Sequence, residues 1–305
     1  MRNTQDRLNR ILYLQQYLSG GSILKKKEFA MENGITEKTV QRDIATLNFF
    51  YEELALNGEA VKVVTYSRNE KGYRLTDSSK LSKENILAIS KILLESRAFN
   101  KNELNELLDK LLTQVGRNDR IGIKEIINDE RFYYVPLCHG KDLQSLIYNL
   151  AGRIRGHEKI EIVYMKMDGE KVKRVVRPIS ILFSEFYFYL LAFRDDENYD
   201  TPTVFRLDRI QEYKAMGETF RIPHSSKFHD GEFRKYVQFM YPGKLEKIRF
   251  KFKGYLIEPV LDRLPTARIV SNEGDAYVIE AEVFGTGIEM WLRSQGELVA
   301  EISRF

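Results

Sequence analysis

Residues 35–47 read ITEKTVQRDIATL. Thr36 is a favourable helix N-cap, because its hydroxyl can accept a hydrogen bond from a free amide of the first turn. Val40, Ile44 and Leu47 are spaced i, i+4 and i+7, which predicts one apolar stripe that anchors the helix. Polar and basic side chains occupy the other faces and are crowded towards the N-terminal end. In a helix that reads DNA, the residues of the N-terminal end contact the edges of the bases.

The neighbouring segments extend this prediction to a small domain. Two helices are expected before it, at residues 6–18 and 25–33, and Gly34 is expected as the left-handed residue that ends the second one. After it, residues 60–75 predict a strand, a polar turn and a returning strand. Helix, short turn and helix form the helix-turn-helix signature. The alternative is a three-helix bundle with a hairpin that binds no nucleic acid.

Candidate DNA contacts follow from the chemistry of the side chains. Thr36 caps the reading end, and the residues predicted to reach base edges are Lys38, Thr39 and Gln41. Basic side chains on the helices and on the hairpin are predicted to hold backbone phosphates. These are Arg42, Lys25, Lys26, Lys27, Arg68, Lys71 and Arg74.

The segments TEKTVQRDI at residues 36–44 and GYRL at residues 72–75 resemble the winged helix of DeoR-type bacterial transcriptional regulators. The resemblance implies a winged helix-turn-helix DNA-binding domain over residues 1–76. It also implies a homodimer that reads a pseudo-palindromic double-stranded operator, since two such domains on a two-fold axis contact two half-sites.

Length and composition bound the remaining possibilities. A chain of 305 residues is expected to form several units, and 43% hydrophobic with 30% charged residues is ordinary for a globular protein. We expect no membrane span and no secretory signal, because the chain has no apolar run of about eighteen residues and no apolar stretch near its start. The single cysteine, Cys138, fits a reducing compartment. The predicted location is the cytoplasm, although a net charge of +4 is only mildly basic.

The sequence predicts an α+β multidomain fold. Residues 77–135 are expected to form a helical connector with leucine-rich faces, including a short helix at 121–127. Residues 136–219 are expected to form a helix and five short strands. Residues 220–244 would be a linker. Residues 245–305 alternate strand, helix, strand, strand, helix, strand, which predicts a ferredoxin-like domain.

The five strands are expected at residues 159–165, 171–176, 179–183, 186–193 and 203–207. The segments FYFYLLAF at 186–193 and FRLDRI at 205–210 resemble the WYL domain. Phe188, Tyr189 and Leu190 stand at the triplet that gives the family its name, so phenylalanine replaces tryptophan and its indole N–H donor is lost. The helix and five short strands predict an SH3-like or Sm-like β-barrel, and the resemblance implies that this domain senses an effector, either a nucleic acid or a nucleotide.

Aromatic and basic residues on these strands are the candidate effector-binding residues. Such side chains can stack on bases and pair with phosphates. Tyr189, Arg206 and Arg209 lie in the two motifs, and strand geometry adds Tyr164, Arg177 and Arg194. The structural alternatives are a core position for Tyr189 and an ion pair of Arg206 with Asp208 or Glu212.

Catalysis is not expected. His224 and His229 have too few suitable neighbours for a zinc site, and Cys138 beside His139 is a poor catalytic pair. The segment GTG at residues 285–287 lacks the third glycine of a dinucleotide-binding loop. We therefore predict no catalytic residue, no metal and no cofactor.

The predicted function is a DNA-binding transcriptional regulator, repressor or activator, whose operator binding responds to a ligand of the WYL-like domain. One alternative is a protein that binds RNA or single-stranded nucleic acid mainly through the barrel. The other is an enzyme that acts on nucleotides.

Overall fold

The structure, a computed structural model, describes residues 2–196, 202–221, 230–241 and 243–305. It divides into two units, Met1–Pro136 and Leu137–Phe305. The first unit is mainly helical and the second contains two antiparallel sheets. The predicted mixture of helices and several antiparallel sheets is confirmed at this level.

The first unit begins with three helices and a hairpin. They are α1 (Arg2–Ser19), α2 (Lys26–Glu32), α3 (Glu37–Leu56), β1 (Lys62–Ser67) and β2 (Gly72–Asp77). Gly34 has the predicted left-handed conformation, with φ +62°. The Thr36 side chain accepts a hydrogen bond from the amide of Thr39, as expected of an N-cap. The helix continues past Leu47, because Tyr51 adds a further buried position to its apolar stripe.

The core of these elements lies beneath α3. Val40, Ile44 and Leu47 are all at most 2% exposed, which confirms the predicted stripe. They pack with Leu14 of α1 and Leu24, which precedes α2. Packing of this stripe fixes the rotation of α3, so its opposite face turns to solvent.

Three more helices complete the first unit. They are α4 (Lys83–Ser96), α5 (Lys101–Leu112) and α6 (Arg117–Phe132). Their core includes Leu104, Leu108 and Leu112 of α5. The helix expected at residues 121–127 is more than twice as long, because its charged flanking residues continue the helix along a solvent-facing side. Only Ile123 and Ile127 of α6 are buried.

The second unit starts with a helix and five strands. They are α7 (Gln144–Arg155), β3 (Glu158–Met165), β4 (Lys171–Ser184), β5 (Tyr187–Arg194), β6 (Thr203–Arg206) and β7 (Ile210–Thr219). The strands form one antiparallel sheet in the order β6-β5-β4-β3-β7. A 3₁₀ turn, Leu207–Arg209, connects β6 to β7.

Two strand predictions were wrong. The strands expected at 171–176 and 179–183 are one strand, β4, in which the pairing with β5 shifts register between Pro178 and Ser180. This irregularity accommodates a proline, which has no N–H to give to the ladder. Strand β7 was not predicted, because most of its side chains are exposed and it lacks a clear apolar alternation.

The sheet is covered on both faces. Leu190 and Ala192 of β5 belong to the core that includes Leu150 of α7. Leu191 of β5 packs on the other face with Phe233 and residues that follow it. Phe233 lies in α8 (Asp230–Tyr236), within the segment expected as a linker. Its apolar side chains make this part of the segment a packing element of the sheet.

The remaining elements are β8 (Leu245–Phe252), α9 (Glu258–Arg263), β9 (Arg268–Glu273), β10 (Ala276–Phe284), α10 (Gly287–Ser294) and β11 (Val299–Arg304). The strands form an antiparallel sheet in the order β11-β8-β10-β9. Phe250 and Ile279 of the sheet pack with Ile288 and Leu292 of α10. None of the helices in the described residues combines the length and apolar composition that a membrane span requires.

Candidate functional site

The N-terminal half of α3 carries the predicted base-reading residues on its exposed side. Lys38 and Gln41 are exposed, and Thr39 is half-buried, with its hydroxyl 3.0 Å from that of Thr36. Glu37, also exposed, is the one acidic residue of the first turn. This surface therefore presents amide, hydroxyl and ammonium groups that can reach a base edge.

The predicted phosphate contacts flank this helix end. Among the predicted DNA contacts, Lys27, Lys38, Arg42, Arg68 and Lys71 are exposed and form no ion pair with a described residue. Lys25 lies 3.3 Å from Glu28, and Arg74 lies 3.9 Å from Glu70. Both pairs are exposed, and such pairs contribute little stability, so a phosphate can compete for these cations.

Gln41 is held by two neighbours. Its side-chain oxygen accepts hydrogen bonds from Lys26 Nζ at 3.2 Å and from the Tyr73 hydroxyl at 3.0 Å. Lys26 comes from α2 and Tyr73 from β2. Three separate elements therefore fix the position of one base-reading candidate.

Two polar residues of α3 that sequence reasoning missed attach the helix to its surroundings. Asp43 is 1% exposed and accepts hydrogen bonds from Arg10 of α1. Asn48 exchanges two hydrogen bonds with the backbone of Val64 in β1, at 2.7 and 3.0 Å. Their signal is a polar side chain on or beside the apolar stripe, which predicts a buried and paired group.

The hairpin is also tied to the segment before α2. The backbones of Leu24 and Tyr73 exchange two hydrogen bonds, each of 2.8 Å. A Cβ atom on Gly72 would lie 2.4 Å from Ile23 Cγ2 and 3.0 Å from the Leu24 carbonyl oxygen. Glycine is therefore required at the start of β2 for this close approach of two chain segments.

In the second unit, the strongest contact among the predicted effector residues surrounds Arg206. Its guanidinium carbon lies 3.4 Å from the centre of the Tyr187 ring. Its Nε and Nη2 donate to the two carboxylate oxygens of Asp208, at 3.0 and 2.7 Å. The backbone N–H of Arg206 donates to the Tyr164 hydroxyl at 3.3 Å. The predicted alternative of a structural Arg206–Asp208 pair is present.

Tyr189 lies directly across the strands from Arg206. Burial raises the pKa of Tyr189 to about 12, and the positive charge of Arg206 opposes this rise. Within the described residues its hydroxyl forms no hydrogen bond. Tyr187, on the same face two residues earlier, was missed as a site residue, although the two-residue period of a strand places it there.

The other predicted effector residues do not all gather at this point. Arg177 is 7% exposed, donates to the Arg194 carbonyl at 2.6 Å and lies 3.6 Å from Asp195. The guanidinium of Arg194 pairs with Asp196. This group lies five residues along β5 from Tyr189, a separation of about 16 Å at the usual rise of a strand. Arg209 is half-buried in the 3₁₀ turn, and its guanidinium forms no hydrogen bond among the described residues.

No cluster of three or more histidine, cysteine or acidic side chains that could hold a metal occurs among the described residues. His224 and His229 lie outside the described residues, so the expectation of no zinc between them stays a prediction. Cys138 is exposed, and the neighbouring His139 accepts a hydrogen bond at Nδ1 from the backbone of Lys141, at 3.0 Å.

The helix, sheet and motifs of the second unit agree with a known domain family. Residues 146–215 match the WYL domain. The match extends from α7 to β7, and it confirms the resemblance that segments 186–193 and 205–210 indicated. No curated protein matches the chain.

Within the WYL region, most of the segment FRLDRI has a structural role. Phe205, Leu207 and Ile210 are buried in the core of the sheet and α7. Asp208 is also buried and holds Arg206. Phe188, at the position of the family's tryptophan, packs against the same core, where an apolar ring suffices.

One solved structure similar to the chain is that of proteasome accessory factor B/C (PafBC) of Arthrobacter aurescens. The sequence identity is 13% and the TM-score is 0.30. The similarity covers 97% of this chain and 44% of that chain, so this chain spans less than half of its length.

Proposed function

We propose that the chain is a DNA-binding transcriptional regulator whose DNA affinity is set by a ligand of the WYL region. The observation that carries the proposal is the two-sided construction of α3. Its buried stripe is at most 2% exposed, while its N-terminal half offers polar and unpaired basic side chains to solvent. A polar face is common to packed surface helices, so the support for the proposal is that this face gathers hydrogen-bonding and unpaired basic side chains, with Glu37 as the one acidic residue of the first turn.

In this proposal, residues 1–76 form a DeoR-type winged helix-turn-helix, in which β1 and β2 are the wing. Lys38, Thr39 and Gln41 contact bases in the major groove, as the N-terminal residues of a recognition helix do. Phosphates are held by Lys25, Lys26, Lys27, Arg42, Arg68, Lys71 and Arg74. Lys26 keeps two further N–H donors besides the one given to Gln41.

The remaining domains form the sensory part of the regulator. We assign the WYL region to an SH3-like or Sm-like barrel, and residues 245–305 to a ferredoxin-like domain. The sheet order β11-β8-β10-β9 supports the second assignment. An effector changes DNA affinity only if it binds the DNA-competent and DNA-incompetent states with different affinities. We propose a nucleic acid or a nucleotide, because Tyr187, Tyr189 and Arg206 combine aromatic rings with a cation.

We further propose that the protein acts as a cytoplasmic homodimer without catalytic activity. Two copies of the winged helix on a two-fold axis would read half-sites separated by about one or two turns of DNA, or about 34 to 70 Å. Repression and activation are both compatible with this arrangement.

The experiment is selection of binding sites from random duplex DNA by the purified full chain, followed by affinity measurements at several salt concentrations. Each phosphate contact contributes about 0.9 to the slope of log affinity against log salt. Arg42→Ala is therefore expected to weaken binding and to reduce the magnitude of that slope by about 0.9. Failure to enrich any duplex would contradict the proposed function.

Lys110→Ala is the matched control. Lys110 is an exposed cation of the same unit, paired with Glu106 on α5, away from α3 and the hairpin in the chain. Its removal changes the net charge as Arg42→Ala does, and it should leave the slope unchanged. Equal slopes for both variants would remove Arg42 from the DNA interface.

A second candidate function, binding of single-stranded nucleic acid as the main activity, is favoured by the Arg206–Tyr187 stack. Stacked aromatic and guanidinium groups can hold bases without regard to sequence. The affinities of the full chain for selected duplex DNA and for single-stranded RNA separate the two functions. Single-stranded RNA bound more tightly than any selected duplex would favour the second.

A further inference from the structure

The orientation of the Gln41 amide is fixed by the chemistry of its neighbours. Lys26 carries only N–H donors, so the side-chain atom 3.2 Å from its Nζ must be the oxygen of Gln41. The same oxygen lies 3.0 Å from the Tyr73 hydroxyl, which donates the second hydrogen bond. An amide flipped by 180° would place its NH₂ group against an ammonium group, where no hydrogen bond can form.

This arrangement uses the acceptor capacity of Gln41. An amide oxygen has two lone pairs, and Lys26 and Tyr73 occupy both. The amide NH₂ group forms no hydrogen bond within the described residues, and Gln41 is exposed. The side chain therefore faces solvent as a donor alone.

The two neighbours are themselves held by the fold. Tyr73 exchanges backbone hydrogen bonds with Leu24, two residues before Lys26. The Lys26 ammonium lies 5.5 Å from the centre of the Tyr73 ring, within the range of a cation–π contact. Tyr66 packs edge-on against the same ring, with centroids 5.3 Å apart. The acceptor side of Gln41 is thus blocked by residues positioned before any DNA is bound.

We propose that Gln41 selects a base with a major-groove keto group, guanine or thymine, and discriminates against adenine and cytosine. Guanine offers N7 and O6 as acceptors and thymine offers O4, whereas adenine offers only N7 beside an amine that opposes a donor, and cytosine offers only an amine. The usual pairing of glutamine with adenine needs the amide oxygen to accept from the adenine amine, and that oxygen is already engaged. The inference rests on the proposed function and specifies the base class that this function would read.

The test uses sites selected from random duplex DNA by the full-length wild-type protein. The position read by Gln41 is the one at which Gln41→Ala abolishes the base preference. All four base pairs are then placed at that position and the affinities are compared. We expect guanine or thymine to be bound at least about fivefold more tightly than adenine and cytosine, a contrast of about 1 kcal/mol, the lower end for one base contact.

Removal of both hydrogen-bond donors to the Gln41 side-chain oxygen should change the base preference. In the double variant Lys26→Met and Tyr73→Phe, both donors are lost while the aliphatic stem and the ring remain. Adenine should then gain at least about fivefold relative to guanine, because the amide can contact it with both groups. The ratio between sites is the readout, since loss of Lys26 also lowers affinity for every sequence.

Lys27→Met and Tyr66→Phe are the matched controls. Each removes the same chemical group from a neighbouring residue that does not bond Gln41. Lys27→Met should lower affinity uniformly, and both controls should keep the wild-type base ratio.

The outcomes separate a failure of the Gln41 inference from a failure of the proposed DNA-binding function. No enriched duplex at all would overturn both. Enriched duplexes with adenine or cytosine at the Gln41 position, or with no position sensitive to Gln41→Ala, would overturn the inference and leave DNA binding intact. An unchanged ratio in the double variant would also overturn it, because the blocked oxygen would then have no part in selection.

Discussion

The carboxylate of Asp43 accepts hydrogen bonds from Arg10 Nε at 2.6 Å and from Arg10 Nη2 at 3.2 Å. The hydrogen bond to Asp43 raises the pKa of Arg10, against an opposing effect of burial. The Asp43 side chain is 2% exposed and that of Arg10 is 16% exposed. The pair thus links α1 to the buried side of α3, and its two members are buried to different degrees.

We expect the two truncations of this pair to be unequal. Arg10→Met should lower the free energy of unfolding by about 3 kcal/mol, because it leaves the buried carboxylate with only the more exposed Arg7, whose Nε lies 4.0 Å away. Asp43→Asn should cost about 1 to 2 kcal/mol, since the guanidinium of Arg10 can still reach water. Urea unfolding of both variants and of the double variant measures the difference. Equal losses would show that the depth of burial does not set the effect.

Two glycine-to-alanine substitutions should change the folding stability in opposite directions. Gly72→Ala should destabilise by about 1 to 3 kcal/mol, because its Cβ would overlap Ile23 and crowd the Leu24 carbonyl. Gly122→Ala, in the middle of α6 with nothing within 4 Å of the new Cβ, should stabilise by about 0.5 to 1 kcal/mol. Thermal unfolding of the two variants checks the pair. A stable Gly72→Ala would mean that the hairpin can move away from the preceding segment.

Replacement of Arg206 by lysine should destabilise the folded protein. Arg206→Lys loses the two-point contact with Asp208 and the flat group over Tyr187, so we expect a loss of about 1 to 2 kcal/mol in the free energy of unfolding. Arg209→Lys, which removes no hydrogen bond among the described residues, should change stability by less than about 0.5 kcal/mol. Similar values for both variants would indicate that the Arg206 contacts are readily replaced by water.

The alkaline limit of stability should depend in part on Tyr189. Its pKa rises from 10.0 to about 12 because the ring is partly buried. Between these values the unfolded chain loses the phenolic proton while the folded chain keeps it, so stability falls as the pH rises through this range. Tyr189→Phe should show a smaller loss from pH 10 upwards in urea unfolding. Part of the loss should persist, since burial also raises the pKa of Tyr51 and Tyr134.

The sequence was sufficient for elements with a strong local signal. The stripe of Val40, Ile44 and Leu47 determined the rotation of α3, and Thr36 determined its start. The six elements of residues 245–305 also follow from apolar alternation and the turn at Gly274. By contrast, β7 carries few buried residues, and Pro178 imitates a break between two strands. Both failures arise where tertiary pairing replaces local preference.

The candidate sites were only partly predictable for a related reason. The spacing of the apolar residues identified which residues of α3 face outwards, because side-chain directions repeat around a helix with one fixed period. It could not identify Lys26 and Tyr73 as partners of Gln41, since these contacts join residues 15 and 32 positions away. Likewise, Arg177 and Arg194 have the same chemistry as Arg206, but Arg194 is at the far end of β5 and Arg177 lies in β4, paired with Phe193 near that end. Strand register, which sequence reasoning did not determine, decides which cations share a site.

The uneven burial of the segment FRLDRI has a consequence for how such sequences diverge. Phe205, Leu207, Asp208 and Ile210 are needed by the folded chain whether or not a ligand binds. Descendants that abandoned ligand recognition would still be under selection to retain these four residues. The motif then marks ancestry of the fold. Substitution of Arg209, whose guanidinium forms no hydrogen bond among the described residues, would be the first change expected after a ligand is lost.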